Sequence, residues 1–261
     1  MFPPSLGHIA ASARAELLTQ WFQRHVGVEI SIDVAPDYEA LHRAIVEGRI
    51  DLAWAPPIVC ASVQRSCLAI LKAVRGGRSA YRSALIVRHG EIRSLEELRG
   101  ARAAWVDRLS TGGYLLPTAH LRSMGHDPDE LLGEQFFVGS YGRALRGLLD
   151  READVASIYV HSATHEAAQT SLRDLLRNDA SRLCAVDFTR EAPSDGLVVI
   201  DRPAHTDSHQ VLDQIRLLTS GGQNTLLLTI FDAEALEQAS VGEYDPLLDG
   251  TALGRDSARR H

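Results

Sequence analysis

Lysine is nearly missing from this chain: of 27 basic side chains, only Lys72 is a lysine. A mechanism running through a Schiff-base amine would depend on that one residue, and Lys72 lies inside the apolar run Leu68 to Val74, which argues against such a role. Cysteine is scarce too. Cys60, Cys67 and Cys184 are an odd set without metal-ligand spacing, which argues against a disulfide framework or a zinc site and leaves free buried thiols as the expectation. No run approaches the roughly 18 apolar residues of a membrane span, and Met1-Phe2-Pro3-Pro4 is not the basic opening of a secretory signal. No Lys/Arg block of the kind that tracks phosphates is present, and a net charge of -7 argues against a nucleic-acid partner. Internal repeats, low-complexity tracts, a Walker loop and a Gly-x-Ser-x-Gly elbow are all absent from the sequence. As written, the chain reads as a soluble cytoplasmic protein. The first helix, however, begins by about Ala10 and leaves little room for the strand that usually opens an α/β lobe. A periodic start upstream, or a removed leader, would make the protein periplasmic or exported.

What is present is an ordinary globular composition, 45% hydrophobic and 23% charged over 261 residues, enough for one large domain or two lobes with separate cores. Ala10 to His25 is an amphipathic helix with Ala13, Leu17, Trp21 and Phe22 on its apolar face. Val28 to Val34 alternates strictly and predicts a half-buried strand. Asp37 caps a helix from Tyr38 to Glu47, Gly48 ends it, and Ile50 to Trp54 follows as a short strand closed by Pro56-Pro57. Leu68 to Val74 and Ser83 to Val87 read as strands, and Ser94-Leu95-Glu96-Glu97 as a capping box opening a helix that Gly100 stops. The alternation continues with strands at Ala103 to Val106, Phe136 to Val138 and Ala153 to Tyr159, and helices from Tyr114 and over Ser140 to Leu149. Strands at Leu183 to Phe188 and Leu197 to Ile200 follow, then helices at Ser208 to Ser220 and Phe231 to Ala239, and a loose tail from Gly250. Such regular alternation predicts mostly parallel sheets flanked by helices.

The most informative stretch is Asp107 to Pro117, Asp-Arg-Leu-Ser-Thr-Gly-Gly-Tyr-Leu-Leu-Pro. It places two hydroxyls and two glycines between a strand and a helix, so Ser110 and Thr111 fall at a helix N-terminus where free N–H groups and the positive dipole end favour an anion. Simple helix capping by either hydroxyl accounts for the same residues, and both readings stay open at this point.

Three segments in order resemble the substrate-binding proteins of phosphate, phosphite and phosphonate ABC transporters. They are Asp37 to Leu41 with Gly48 to Trp54, then Tyr81 to Val87, then Ser94 to Gly100 running into Ser110 to Pro117; a fourth, Gly139-Ser140 to Ala156, extends the likeness over roughly residues 28 to 160. The resemblance implies a type II periplasmic-binding-protein fold. Its two α/β lobes, residues 1–80 with 192–261 and residues 81–191, would be joined by two crossover strands and close over a ligand. It also implies that Ser110, Thr111 and the Gly112 amide hold an oxyanion, that Tyr38 and Tyr81 line the cleft, and that Asp195 matches a family acid near the second crossover. Two departures stand out. Tyr141 occupies the place after the Gly-Ser turn where members often carry a histidine, and Ser157-Ile158-Tyr159-Val160 has no acid where binders of aminoalkylphosphonates place one. Trp54, closing its strand, is a further candidate contact, with core packing as its alternative.

The expectation is therefore a binding protein without a chemical step, cofactor or metal. Its partners would be a small anionic ligand and an ABC permease or a signalling protein. A lyase-like enzyme on the same fold is the competing class, for which His161, His165 and Glu166 at i, i+4 and i+5 would be the group to inspect, and a sensory module is a third.

Overall fold

The computed structural model describes residues 1–3, 8–201, 208–220 and 230–248. The chain divides into two compact units. Unit 1 comprises Met1–Ser79 and Pro193–His261, and unit 2 comprises Ala80–Ala192.

In unit 1, helix α1 (His8–His25) buries Ala11, Leu18, Trp21 and Phe22, whereas Leu17 is 42% exposed. The apolar face is thus rotated from the one read through Ala13 and Leu17, because the two adjacent aromatics set which side meets the core. Helix α2 (Tyr38–Val46) starts as its sequence predicts, with the Ala40 amide donating to Asp37 Oδ1 at 2.6 Å, and Gly48 leaves it with φ +62°. Strand β1 (Leu52–Ala55) leads into α3 (Pro57–Val63), a short buried helix that the proline pair had concealed: Pro57 stands at its first turn, where a missing N–H costs nothing. Strand β2 (Ala69–Val74) carries the single lysine, whose ammonium pairs with Glu243 and lies 3.5 Å from Glu237.

The segment at residues 28–34 departs from its reading. Val28, Ile30, Ile32 and Val34 are half-buried between exposed neighbours, yet the segment forms no strand ladder, only a parallel bridge from Val34 to Phe2. The Phe2 amide donates to the Asp33 carbonyl at 2.8 Å, the Ala35 amide to Phe2 at 2.9 Å and the Trp54 amide to Met1 at 3.1 Å. Met1 and Phe2 therefore stand as a two-residue strand between this segment and β1. Beside them a cavity of about 270 Å³ is lined by Phe2, Ile30, Ile32, Leu52, Val199 and their neighbours.

Unit 2 begins with β3 (Ala80–Arg88), followed by β4 (Arg102–Trp105), a π-helical turn at Thr111–Leu115 that continues into α4 (Leu116–Ser123), α5 (Pro128–Leu131) and β5 (Glu134–Phe137). It closes with α6 (Tyr141–Leu149), β6 (Val155–Val160), α7 (His165–Leu176) and β7 (Leu183–Phe188), and β8 (Ala192–Pro193) leads the chain back. The capping box at Ser94 yields only a 3-10 turn over Glu96–Leu98. On return to unit 1 come β9 (Gly196–Val199), α8 (Ser208–Ser220) and β10 (Ala235–Gln238). The last replaces the helix read over Phe231 to Ala239: Ala235 to Gln238 pair with Val74 to Leu71, because the open edge of β2 satisfies their backbone groups. The tail from Gly250 lies outside the described residues.

The α/β class and the type II architecture hold, but the strand directions differ from the mostly parallel sheets expected. Unit 1 has the order β1-β9-β2-β10 with each described pair antiparallel; unit 2 has β5-β4-β6-β3-β7, parallel only at the β4 pairs. The cause is the crossing of the chain. Strand β3 enters unit 2 and β9 re-enters unit 1, and each runs against both of its flanking neighbours.

The unit 2 sheet is buried on both faces. Ala84 and Ile86 of β3 join a cluster with Leu145, Leu148 and Leu172, while Leu85 and Val87 join one with Leu98, Trp105 and Leu121. This is the alternation of a strand covered on two sides.

Candidate functional site

The turn after β4 is built to be rigid. The Leu109 amide donates to Asp107 Oδ1 at 2.8 Å and the Ser110 amide to the Asp107 carbonyl at 3.0 Å, so the chain reverses in one tight loop. Ser110 is then the N-cap, with its Oγ accepting the Gly113 amide at 3.1 Å. The Leu115 amide reaches back to the Ser110 carbonyl at 3.0 Å, giving the wide π-type first turn. Ser110 and Thr111 are both buried. Capping and anion holding are therefore compatible for Ser110: Oγ uses a lone pair on Gly113, and its own proton is not consumed by that bond.

The glycines are required by space. A Cβ on Gly113 would lie 2.5 Å from Val106 Cγ2, and one on Gly112 would lie 2.7 Å from Tyr141 Oη and 3.2 Å from Tyr81 Cε2. Tyr81 on β3 and Tyr141 at the first position of α6 thus abut the same turn. Tyr141 is placed by Ser140, whose Oγ accepts the Arg143 amide at 3.3 Å, and its ring packs edge-on against Tyr159. Of the residues selected from sequence, Tyr81, Ser110, Thr111, Gly112 and Tyr141 come together in unit 2. Their donors are neutral: hydroxyls, phenols and the amides of a helix start.

The remaining three lie in unit 1. Tyr38 opens α2 and is buried. Trp54, 6% exposed, belongs to the core and stacks on Phe231 with ring centroids 4.3 Å apart. Asp195 is engaged bidentately by Arg75, Nη1 to Oδ1 at 2.9 Å and Nη2 to Oδ2 at 3.1 Å. Arg75 also donates to the Phe231 carbonyl at 3.1 Å, so the pair ties the start of β9 to the chain before β10.

Two residues of the turn's surroundings escaped the sequence reading. Ser83 and Ser157 are buried in strands β3 and β6, and each donates to the Gly112 carbonyl, at 2.8 and 2.7 Å. The available signal was a serine inside a buried strand, a polar group that requires a partner.

The metal alternative finds no geometry. Helix α7 begins at His165, so His161 precedes it in a bend and the two are not on one helical face. Among the described residues no group of three or more His, Cys, Asp or Glu side chains converges as a metal site. Cys60 is buried and its thiol is pushed up by burial; Cys67, half-buried, is raised by burial to about 11. Neither is poised as a nucleophile.

A sequence profile described as ABC transporter, phosphonate, periplasmic substrate-binding protein matches residues 2–244. The chain belongs to this family of periplasmic substrate-binding proteins. The family is one of binding proteins and not of enzymes, and its periplasmic description does not support the cytoplasmic location read from the sequence. Among curated relatives, the phosphate-import protein PhnD of Mycolicibacterium smegmatis is 31% identical over 115 residues, which is 41% of this chain and 36% of that protein. The matched region thus spans about a third of the relative's length. Among solved structures, PhnD1 of Prochlorococcus marinus in complex with methylphosphonate has a TM-score of 0.78 at 17% identity, covering 99% of this chain and 97% of that one. A binding-protein component of an ABC phosphonate transporter from Pseudomonas aeruginosa has a TM-score of 0.75 at 18% identity, covering 99% and 86%. Among the described residues no helix is long and apolar enough to cross a membrane.

Proposed function

We propose that this protein binds a small phosphorus oxyanion of the phosphate or phosphonate type at the Ser110–Thr111–Gly112 turn and delivers it to an ABC permease outside the cytoplasm. The observation that carries the reading is the turn itself: two buried hydroxyls and first-turn amides, held by a cap and faced by two phenols. Such a set offers convergent neutral donors to a tetrahedral anion at the positive end of a helix. The relatives support the ligand class, since one is a phosphate-import protein and another was solved with methylphosphonate.

Ser110 and Thr111 hold the anion, the Gly112 amide supplements them, and Tyr81 and Tyr141 donate around it. From unit 1 the proposal retains Tyr38 as a phenol donor. Trp54 and Asp195 are accounted for by the Phe231 stack and the Arg75 pair and are assigned structural roles. The lobes divide near residues 80 and 192. Because Tyr141 replaces a histidine and the Ser157 to Val160 segment brings no carboxylate, the ligand's tail is small and uncharged.

The test is a thermal-shift and calorimetry panel of phosphate, phosphite, methylphosphonate, 2-aminoethylphosphonate and sulfate, since a ligand bound only by the folded state raises Tm. The expected result is a selective rise with phosphate, phosphite or methylphosphonate, none with 2-aminoethylphosphonate, and a loss of about 1–3 kcal/mol of affinity in the S110A/T111A double variant. Absence of any rise, or unchanged affinity in the double variant, overturns the reading.

A further inference from the structure

Two buried serines, neither belonging to the turn, converge on one backbone oxygen. Ser83 of β3 and Ser157 of β6 are 0% and 1% exposed, and both direct their hydroxyl protons at the Gly112 carbonyl. The register of these antiparallel strands pairs Ser83 with Tyr159 and Leu85 with Ser157, so the two serines sit two residues apart on one face of the sheet. A carbonyl oxygen has two lone pairs, and here both are occupied. At the other end of the same peptide unit, the Gly113 amide donates to Ser110 Oγ at 3.1 Å. A peptide is planar, so three hydroxyls gripping its oxygen and its N–H leave the Gly112–Gly113 plane no freedom to rotate.

We propose that Ser83 and Ser157 are positioning residues of the oxyanion site. They draw the Gly112 carbonyl, a dipole end that would repel an anion, toward the sheet. That orientation keeps the Ser110 and Thr111 hydroxyls and the first-turn amides directed at the ligand. Their own protons go to Gly112, so they act through the turn and are not themselves ligand donors. An alanine at either strand position would pack there without needing a partner, whereas a buried serine costs stability unless bonded. The inference rests on the oxyanion reading above.

The experiment compares the wild-type protein with S83A, S157A, the S83A/S157A double variant and S157T, which keeps the hydroxyl. Affinity for inorganic phosphate and methylphosphonate is measured by calorimetry, and the Gly113 amide is followed by NMR shift and hydrogen exchange. The double alanine variant should bind the preferred probe roughly tenfold more weakly, because the turn loses both bonds that fix the Gly112 carbonyl. It should melt as one folded species and lose Gly113 amide protection, and S157T should bind more tightly and protect Gly113 better than S157A. A wild-type protein that binds while the double variant binds equally well overturns the positioning role alone, as does an unchanged Gly113 amide or an S157T variant no better than S157A. A wild-type protein that binds neither probe overturns the oxyanion reading itself, and the role of the serines with it.

Discussion

Units 1 and 2 are written in the same α/β grammar but finish their sheets differently. In unit 2 the strand β3 is flanked on both sides and buried on both faces, and the buried serines of β3 and its neighbour β6, Ser83 and Ser157, are bonded to one carbonyl. In unit 1, among the described residues, Met1 and Phe2 lie beside β1. A cavity of about 270 Å³ continues where the pairing stops, and residues 28–33 run along it without a ladder. The difference teaches where the candidate site is supported: the turn proposed to hold an anion is mounted on a sheet covered on both faces.

Three changes would break or sharpen that contrast. The largest effect is expected at Asp154, the hub of unit 2's sheet end. Its oxygens take Arg88 Nη2 at 2.7 Å and Arg102 Nε and backbone N at 3.0 Å, and these partners hold its carboxyl well below the usual carboxylate range. Asp154→Ala leaves Arg88 with Glu91 and the Leu148 carbonyl but removes every bond from Arg88 and Arg102 to this carboxylate, and should cost about 3 kcal/mol in denaturant unfolding. Because the folded value is depressed, this contribution is complete above the ordinary carboxylate value near 4 and fades as pH falls below it. Acid unfolding of the wild type should therefore steepen below about pH 4, and the variant should lack that component.

Next comes Gly113→Ala. The added methyl collides with Val106 Cγ2 and Ser110 Oγ, at 2.5 and 2.8 Å, and should cost about 2 kcal/mol by overpacking. If unit 2 is as rigid as its packing implies, ligand affinity should fall with stability; a stable variant that binds normally would show the turn to be pliant.

The smallest effect is expected for Asp195→Asn. It loses the charge of a partly buried pair while the amide still accepts from Arg75, and should reduce stability by about 1 kcal/mol, leaving phosphate and methylphosphonate affinity unchanged. A tenfold loss of affinity instead would return Asp195 to the ligand site.

The sequence was most legible where local chemistry acts alone. Asp37 capped its helix, Ser110 capped the turn at Thr111–Leu115, α6 began after Ser140, and β7 ran over Leu183–Phe188 as read. Each is a short-range bond between a side chain and a backbone group a few residues away, or a strand whose apolar run is bounded on both sides. It was least legible where distant partners compete for the backbone. Residues 235–238 carry helical spacing but became a strand on the edge of β2, and residues 28–34 alternate like a strand but found a neighbour only at Phe2. Neither outcome is written in the segment concerned.

The site divides in the same way. Two hydroxyls, two glycines and a helix start mark Ser110 to Gly113 from sequence alone, because capping and dipole effects need nothing beyond one turn. That Ser83 and Ser157, far apart along the chain, meet at the Gly112 carbonyl was decided by the antiparallel register of β3 and β6. That Asp195 closes on Arg75 and Trp54 on Phe231 was decided by which chains lie beside β9 and β1. Sequence determined the family, the helix starts and the chemistry of the turn; tertiary structure determined strand direction and which polar groups are spent on one another, since hydrogen-bond partners and buried charges are chosen in space and not along the chain.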